Sequence, residues 1–417
     1  MLFLLIFVAV VLSSIGPNMV FWSIMGLLRF LAESKFNHLP GQSHRFALKD
    51  IAVVIAAHNE EMALPSCLLA LRKSINSKQI FVADDASKDA TRVIAKAGKC
   101  NVFTAKSNLG KAKAIEGVIE KFKLTRKFRA ILILDADSEI DSNYFNNGLP
   151  LFDDPNVAVV AGHVISRSGN RGWNAQQIIH AYRVRLYFVV QALLKFGQTW
   201  RPANVTFVAP GFASMYRTDV LEKLTIAESG LIIEDINMTF QVHHSNLGRV
   251  AYSPSVKCST EDPATLKDYS KQIKRWNLGL WQTVRKQKVW AGKFWFALSL
   301  QLLELITSSL FVMLLPLAFI SCALWGGDIY LFSAFQGRLQ QVPYWMVPAL
   351  FFASDILLSV ISAVLLRRID VLVLAPFFPI IRFYDAVWTL VTIPMAFVSK
   401  SDGRWKSPSR ISRIPVA

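Results

Sequence analysis

Long apolar stretches at both ends of the chain enclose a central region of short ones. Leu2 to Leu28 carries no charged residue and is followed by Arg29 and Lys35, long enough to cross a bilayer with its positive flank behind it. Residues 1–32 are therefore read as an N-terminal transmembrane anchor with its N-terminus outside. A cleaved signal peptide would have a shorter apolar run preceded by basic residues. Phe294 to Gly327 holds one charge, Glu304, and Tyr344 to Leu366 holds one, Asp355, which predicts spans near 301–326 and 344–366 within a transmembrane region covering 294–398. Val371 to Val398 is broken by Pro376 and Pro379 and carries Arg382 and Asp385. A full crossing there would leave the basic tail, residues 399–417 with Lys400, Arg404, Lys406, Arg410 and Arg413, on the far side from Arg367 and Arg368. The segment 371–398 is read as re-entrant or interfacial, with the tail and the central region both cytoplasmic.

Between these ends, residues 33–263 alternate short β-rich runs with helical patterns. Ile51–Ala56, Ile80–Ala83, Asn101–Thr104, Ala130–Leu134 and Val157–Ala161 are near-continuous apolar runs, as in strands buried on both faces of a mostly parallel sheet. Helical stretches separate the first four, so the expectation is an α/β, Rossmann-like domain with helices on both faces of the sheet. Residues 264–293 read as amphipathic interfacial helix, with an apolar stripe of Leu266, Tyr269, Ile273, Trp276 and Leu280.

Composition agrees with a membrane protein carrying a large polar domain: 53% of residues are hydrophobic and the mean hydropathy is +0.36. The four cysteines are scattered without a C-x-x-C pair, which argues against a disulfide framework or a thiolate metal site. A formal charge of +17 suits anionic membrane lipids and a nucleotide diphosphate. Nucleic acid is disfavoured, because the charge is spread around hydrophobic spans and no recognition motif accompanies it.

Open α/β sheets bind ligands at the carboxyl ends of their strands. After the first strand come His58, Asn59, Glu60 and Glu61, where backbone and imidazole can cradle a nucleobase; the plainer alternative is a helix N-cap by Asn59. After the second come Asp84 and Asp85, of which one is expected to reach base or ribose and the other to cap the following helix. After the fourth come Asp135 and Asp137, whose i, i+2 spacing sends both carboxylates to one face if the strand persists, where they can hold a hard divalent cation. Lys111 opens a helix after the third strand and is a candidate for phosphate or base. Glu234 and Asp235 begin a later helix, with Asp235 expected as a general base; ordinary acidic decoration of a helix N-terminus is the alternative. Gln272, Arg275 and Trp276 share one helix side, offering an amide, a guanidinium fork and a flat ring for a sugar, though Trp276 also fits the apolar stripe. No zinc-type histidine spacing and no P-loop or nucleophile-elbow motif is present.

Taken in order, VVIAAHNEE, VADDASKDAT, SNLGKAKA, LDADSEID, APGFASMYR, LIIED and KQIKRW resemble the motif series of family-2 membrane glycosyltransferases over roughly residues 51 to 285. The likeness is to the branch containing poly-N-acetylglucosamine, chitin, hyaluronan and cellulose synthases, whose last motif is Q-x-x-R-W; Gly403 to Lys406 also resembles the end of the poly-N-acetylglucosamine branch. This resemblance implies a GT-A fold, inverting transfer from a UDP-sugar, Mg²⁺ or Mn²⁺, and a polysaccharide acceptor, with a membrane lipid acceptor as the alternative. It places Asp85, with help from Asp84, at the nucleoside, and Asp135 and Asp137 at metal and diphosphate; His58, Glu60 and Lys111 are the further nucleotide-binding candidates. Asp235, with Glu234, falls at the catalytic base, and Gln272, Arg275 and Trp276 fall between acceptor and diphosphate. Ile233 stands where the family usually has threonine, and Ala56 where it usually has proline.

Overall fold

The computed structural model describes residues 16–34, 43, 45–167, 174–324, 330–335, 338–343, 345–399, 401 and 403, with 330–335 and 338–342 described by backbone alone. The expected first half of the anchor and the basic residues of the tail lie outside these residues.

Among the described residues the first element is α1 (Pro17–Ser34), and the chain then enters the sheet, whose strands are β1 (Ile51–Ala57), β2 (Ile80–Asp84), β3 (Asn101–Thr104), β4 (Ala130–Asp135), β5 (Glu139–Ile140), β6 (Val157–Arg167), β7 (Ala213–Arg217) and β8 (Arg249–Glu261). Their order is β3-β2-β1-β4-β7-β6-β8-β5. The pairs β1–β2, β2–β3 and β1–β4 are parallel, and the register places Ala57 beside Asp84 and Ala56 beside Asp135. The ends that carry the acidic motifs therefore lie side by side.

The first strand shows why the sheet forms. All seven of its residues are fully buried: Ile51, Val53 and Ile55 point to one face and Ala52, Val54 and Ala56 to the other. This is the period-two alternation of a strand covered on both sides. On the first face it meets α2 (Leu64–Arg72) through Leu64, Leu68 and Leu71; on the second it meets α4 (Lys111–Phe122) through Ala114, Ile115 and Val118. Each large aliphatic side chain buried in this way contributes about 1.5–3 kcal/mol. A short helix, α3 (Thr91–Ala97), links β2 to β3. The third strand is half-buried rather than fully buried, because it is the edge of the sheet. Antiparallel β7 lies between β4 and β6, and β8 runs parallel to β6.

Helix α5 (Ala175–Phe188) continues as a π-helix, Val189–Lys195, and a last turn, Phe196–Gln198. Gln191 donates its amide to Val164 O and accepts from Val164 N–H, so one side chain pairs this irregular segment to the edge of β6. Helix α1 rests on the same segment, and Arg29 donates to Phe196 O and Tyr252 O. The residue expected as a positive flank is 8% exposed and is spent on the sheet domain.

Then follow α6 (Glu234–His244), α7 (Leu266–Gln287), α8 (Lys293–Leu324), α9 (Met346–Leu366) and α10 (Phe378–Val398), with two antiparallel strands, Tyr330–Phe335 and Arg338–Pro343, between α8 and α9. Among the described residues three helices are long and apolar enough to cross a membrane: Lys293–Leu324, Met346–Leu366 and Ala375–Val398. The last lies within the segment 371–398 expected to be re-entrant or interfacial and holds the continuous helix α10. That helix also runs alongside the amphipathic α7. Tyr269 donates to Asp385 and Trp388 donates to Ser270, while Gln282 donates to Ser399 O.

Candidate active site

The turn after β2 is built by its two aspartates. Asp84 accepts the Ser87 N–H at 3.0 Å, whereas Asp85 accepts Leu109 N–H at 2.7 Å and Gly110 N–H at 2.9 Å. Both are fully buried. Asp84 thus closes the turn after β2 and does not cap the following helix Thr91–Ala97, whose N-cap is Ala90 with no side-chain hydrogen bond, and Asp85 ties the end of β2 to the turn that opens α4. His58 Nδ1 lies 2.6 Å from Asp85 O. Asn59 is not a helix cap: it has φ of 54°, accepts Lys88 N–H at 2.8 Å, and α2 starts only at Leu64.

These loops surround an open cavity of about 640 Å³ lined by His58, Asn59, Ser87, Lys88, Lys106 and Asn108, with Thr104 from the edge strand. Glu60 is 1% exposed and does not line it; its N–H is held by Thr91 Oγ1. Of the residues expected at the nucleotide, His58 faces the cavity, Asp84 and Asp85 shape it from below, and Glu60 lies beneath the loop.

Lys111 lies deeper, among the acids. Its Nζ is 2.8 Å from Asp135 Oδ1 and 2.8 Å from Glu234 Oε1, and it donates to Gly211 O at 3.2 Å. Burial disfavours its charge, but Asp135, Glu234 and Asp235 outweigh that and hold the ammonium above its ordinary pKa. Burial likewise opposes ionisation of Glu234, yet Lys111 keeps it below the usual carboxylate value. Asp135 is pushed up to about 6, first by burial and then by Asp137 against the pull of Lys111.

Asp235, the next residue on α6, takes Gly211 N–H on Oδ2 at 2.7 Å and its neighbour's N–H, Ile236, on Oδ1 at 2.7 Å. Its pKa is raised by burial and by the adjacent Glu234 carboxylate. Gly211 allows a close approach: a Cβ there would fall 3.0 Å from Glu234 Oε1 and 3.2 Å from Asp235 Oδ2, tighter than ordinary contact. This glycine lies in the segment APGFASMYR. Its N–H orients one acid while its carbonyl holds the lysine.

The expected strand geometry for Asp135 and Asp137 is not what brings these carboxylates together. Strand β4 ends at Asp135, and Ala136 and Asp137 form a turn, in which Ser138 Oγ is 3.4 Å from Asp137 Oδ1. Among the described residues no group of three or more His, Cys, Asp or Glu side chains is arranged to hold a metal. Two half-buried carboxylates whose mutual repulsion raises a pKa nevertheless fit a divalent cation, provided that other oxygens complete its shell.

Helix α7 presents the remaining candidates. Arg275 is exposed and within electrostatic reach of Glu234. Trp276 packs against two apolar clusters, one containing Ile273 and Phe378 and the other Ile233 and Phe294, so the apolar-stripe reading holds as far as packing goes. A Cβ on Gly279 would fall 2.6 Å from Ile233 Cδ1. The isoleucine that stands in place of threonine is thus received by a glycine on α7.

Sequence reasoning missed the group behind Gln272. Arg183 of α5, 1% exposed, donates from Nε to Asp262 at 2.6 Å and from its other nitrogens to Gln272 Oε1 and to the Tyr187 hydroxyl. Asp262 also accepts from His180 at 2.6 Å. A signal was present: two arginines in the otherwise apolar helical stretch IIHAYRVRLYF need buried partners.

Residues 52–225 match the Glycosyl transferase family 2 model. The chain is 26% identical to a poly-beta-1,6-N-acetyl-D-glucosamine synthase of Staphylococcus aureus over 56% of this chain and 55% of that one. It is 27% identical to a hyaluronan synthase of Streptococcus pyogenes over 54% and 56% respectively. It spans about half the length of these curated relatives. A mannosyltransferase from Pyrobaculum calidifontis, solved with GDP-Man and Mn²⁺, aligns over 93% of this chain and 98% of its own at 15% identity and a TM-score of 0.54, and shares the fold. The sheet of this chain is a GT-A fold, and residues 52–225 within it are similar to glycosyltransferase family 2.

Proposed function

We propose that the chain is a multi-pass membrane enzyme that transfers a sugar from a UDP-sugar, with inversion, to the end of a growing polysaccharide, and that its catalytic domain faces the cytoplasm. One observation carries the chemistry: Lys111 joins Asp135 to Glu234, while the next carboxylate, Asp235, hangs from the Gly211 N–H with a raised proton affinity. The base and ribose occupy the cavity beside His58 and Asn108, with Asp85 acting through the 109–110 turn. Asp235 takes the proton of the acceptor hydroxyl as that oxygen attacks the anomeric carbon; the bond to the diphosphate breaks and its electron pair leaves with UDP. Asp135 and Asp137 would hold Mg²⁺ or Mn²⁺, which would offset the charge gathering on the diphosphate. Gln272, Arg275 and Trp276 serve the acceptor and diphosphate side. The cytoplasmic orientation rests on Arg367 and Arg368 after α9.

The polysaccharide product is supported by the activities named for the two bacterial relatives. A second reading, one sugar placed on a membrane lipid, is favoured by the pairing of the charges in the apolar helices. Glu304 accepts the Asn18 N–H at the start of α1, Asp355 pairs with Arg185 and Arg382 at 2.7 Å each, and Asp385 accepts from Tyr182 and Tyr269. The charges in these apolar segments are thus accounted for by internal partners. Purified chain in lipid, given metal and labelled UDP-N-acetylglucosamine, is expected to yield products that lengthen with time. A single labelled sugar on lipid at saturating donor would replace the polysaccharide reading by the second.

A further inference from the structure

The buried guanidinium of Arg183 organises more of the acceptor side than the sequence motif contains. Its carbon lies 4.9 Å from the Tyr187 ring centroid and 5.5 Å from that of Trp276, so it stands against both rings. Its Nε is fixed by Asp262, itself 5% exposed at the end of β8, where Ser166 and His180 occupy the other carboxylate oxygen. The two remaining nitrogens reach Gln272 Oε1 and Tyr187 Oη.

An arginine only donates, and this fixes the direction of both partners. Gln272 must turn its carbonyl oxygen to Arg183, which leaves its NH₂ facing away as a donor. Tyr187 accepts from Arg183 and keeps its own proton to give. Tyr187 is half-buried and within electrostatic reach of Asp137.

We propose that Tyr187 is an acceptor-contacting residue, and that Arg183, anchored by Asp262, is the positioning residue that sets Tyr187, Gln272 and Trp276 as one wall. The wall offers two hydrogen-bond donors beside a flat ring, which fits the oxygens and apolar face of a sugar acceptor. This rests on the glycosyl-transfer reading above and adds to it a residue outside the Q-x-x-R-W motif.

The test uses the full chain in lipid with UDP-N-acetylglucosamine, metal and added N-acetylglucosamine tetramer as acceptor, with UDP affinity measured separately by calorimetry. Tyr187→Phe is expected to raise the tetramer concentration for half-maximal transfer about tenfold, equivalent to ~1.4 kcal/mol, with UDP affinity within about twofold of wild type. Arg183→Lys keeps the charge and loses the fork, and combined with Tyr187→Phe it is expected to cost less than the sum of the two, because one acts through the other. Unchanged tetramer dependence in Tyr187→Phe overturns the contact, whether or not Arg183→Lys folds, and strict additivity overturns the positioning role. A wild-type chain that binds no UDP overturns the donor reading underneath, a result separate from both.

Discussion

Asp235→Asn is expected to reduce sugar transfer by about 10²–10⁴-fold while leaving UDP affinity close to that of wild type. The amide keeps the shape of the carboxylate, and its oxygen can still accept the Gly211 N–H that now reaches Oδ2, while its NH₂ gives up the bond from the adjacent Ile236 N–H that now reaches Oδ1. What it loses is the ability to take a proton. The raised proton affinity of Asp235, from burial and from Glu234, is the property that the substitution removes. Transfer rates and UDP titrations on the same preparation check this. If the variant turns over at a few per cent of wild type or more, another group is the base.

The second large effect concerns stability. Lys111→Met leaves Asp135 and Glu234 facing one another without the ammonium that lies 2.8 Å from each. Removing one partner of a buried ion pair costs about 3–5 kcal/mol, because the remaining charges stay buried without compensation. The pH dependence follows from the signs. In the wild type, the lowered pKa of Glu234 is stabilising above its unfolded value, and that contribution is lost as pH falls through the folded value. The raised pKa of Asp135, about 6, acts oppositely and makes its ionised form costly above that pH. Without Lys111 both carboxyls bind protons more tightly, so the deficit of the variant should be largest at the upper end of the pH range and shrink as pH falls through their raised pKa values, that of Asp135 lying above its wild-type value of about 6. Thermal unfolding across pH 5 to 8 measures it; a deficit independent of pH would mean that Lys111 acts mainly by packing.

The sequence showed the parallel half of the sheet well, because strands such as Ile51–Ala57 are covered on both faces and consist of apolar residues with no interruption. It did not reveal β7 or β8 as strands. Residues 249–261 mix Lys257, Ser253, Ser255 and Pro254 into a strand that is exposed along part of its length, and its pairing with β6 is irregular. Periodicity has little to read there. The acids at strand ends stood out because a parallel sheet gathers those ends. In the sequence Lys111 is one lysine after a glycine turn, a common pattern; only the meeting of α4, β4 and α6 makes it the centre of the cluster. Arg183 and Asp262 belong to no motif, and their partnership is made by α5 packing across the end of β8. A contact of that kind leaves two separate charges in the sequence and nothing that connects them.

The central claim is inverting transfer from a nucleotide sugar at the Lys111, Asp135, Glu234 and Asp235 cluster. The most direct measurement is the anomeric configuration of the new bond, read by NMR on product made by the purified chain from UDP-α-N-acetylglucosamine. A single base on the acceptor, with no enzyme nucleophile, predicts a β linkage whose formation stops in Asp235→Asn. An α linkage from the same donor, or a β linkage formed undiminished by that variant, would contradict the account.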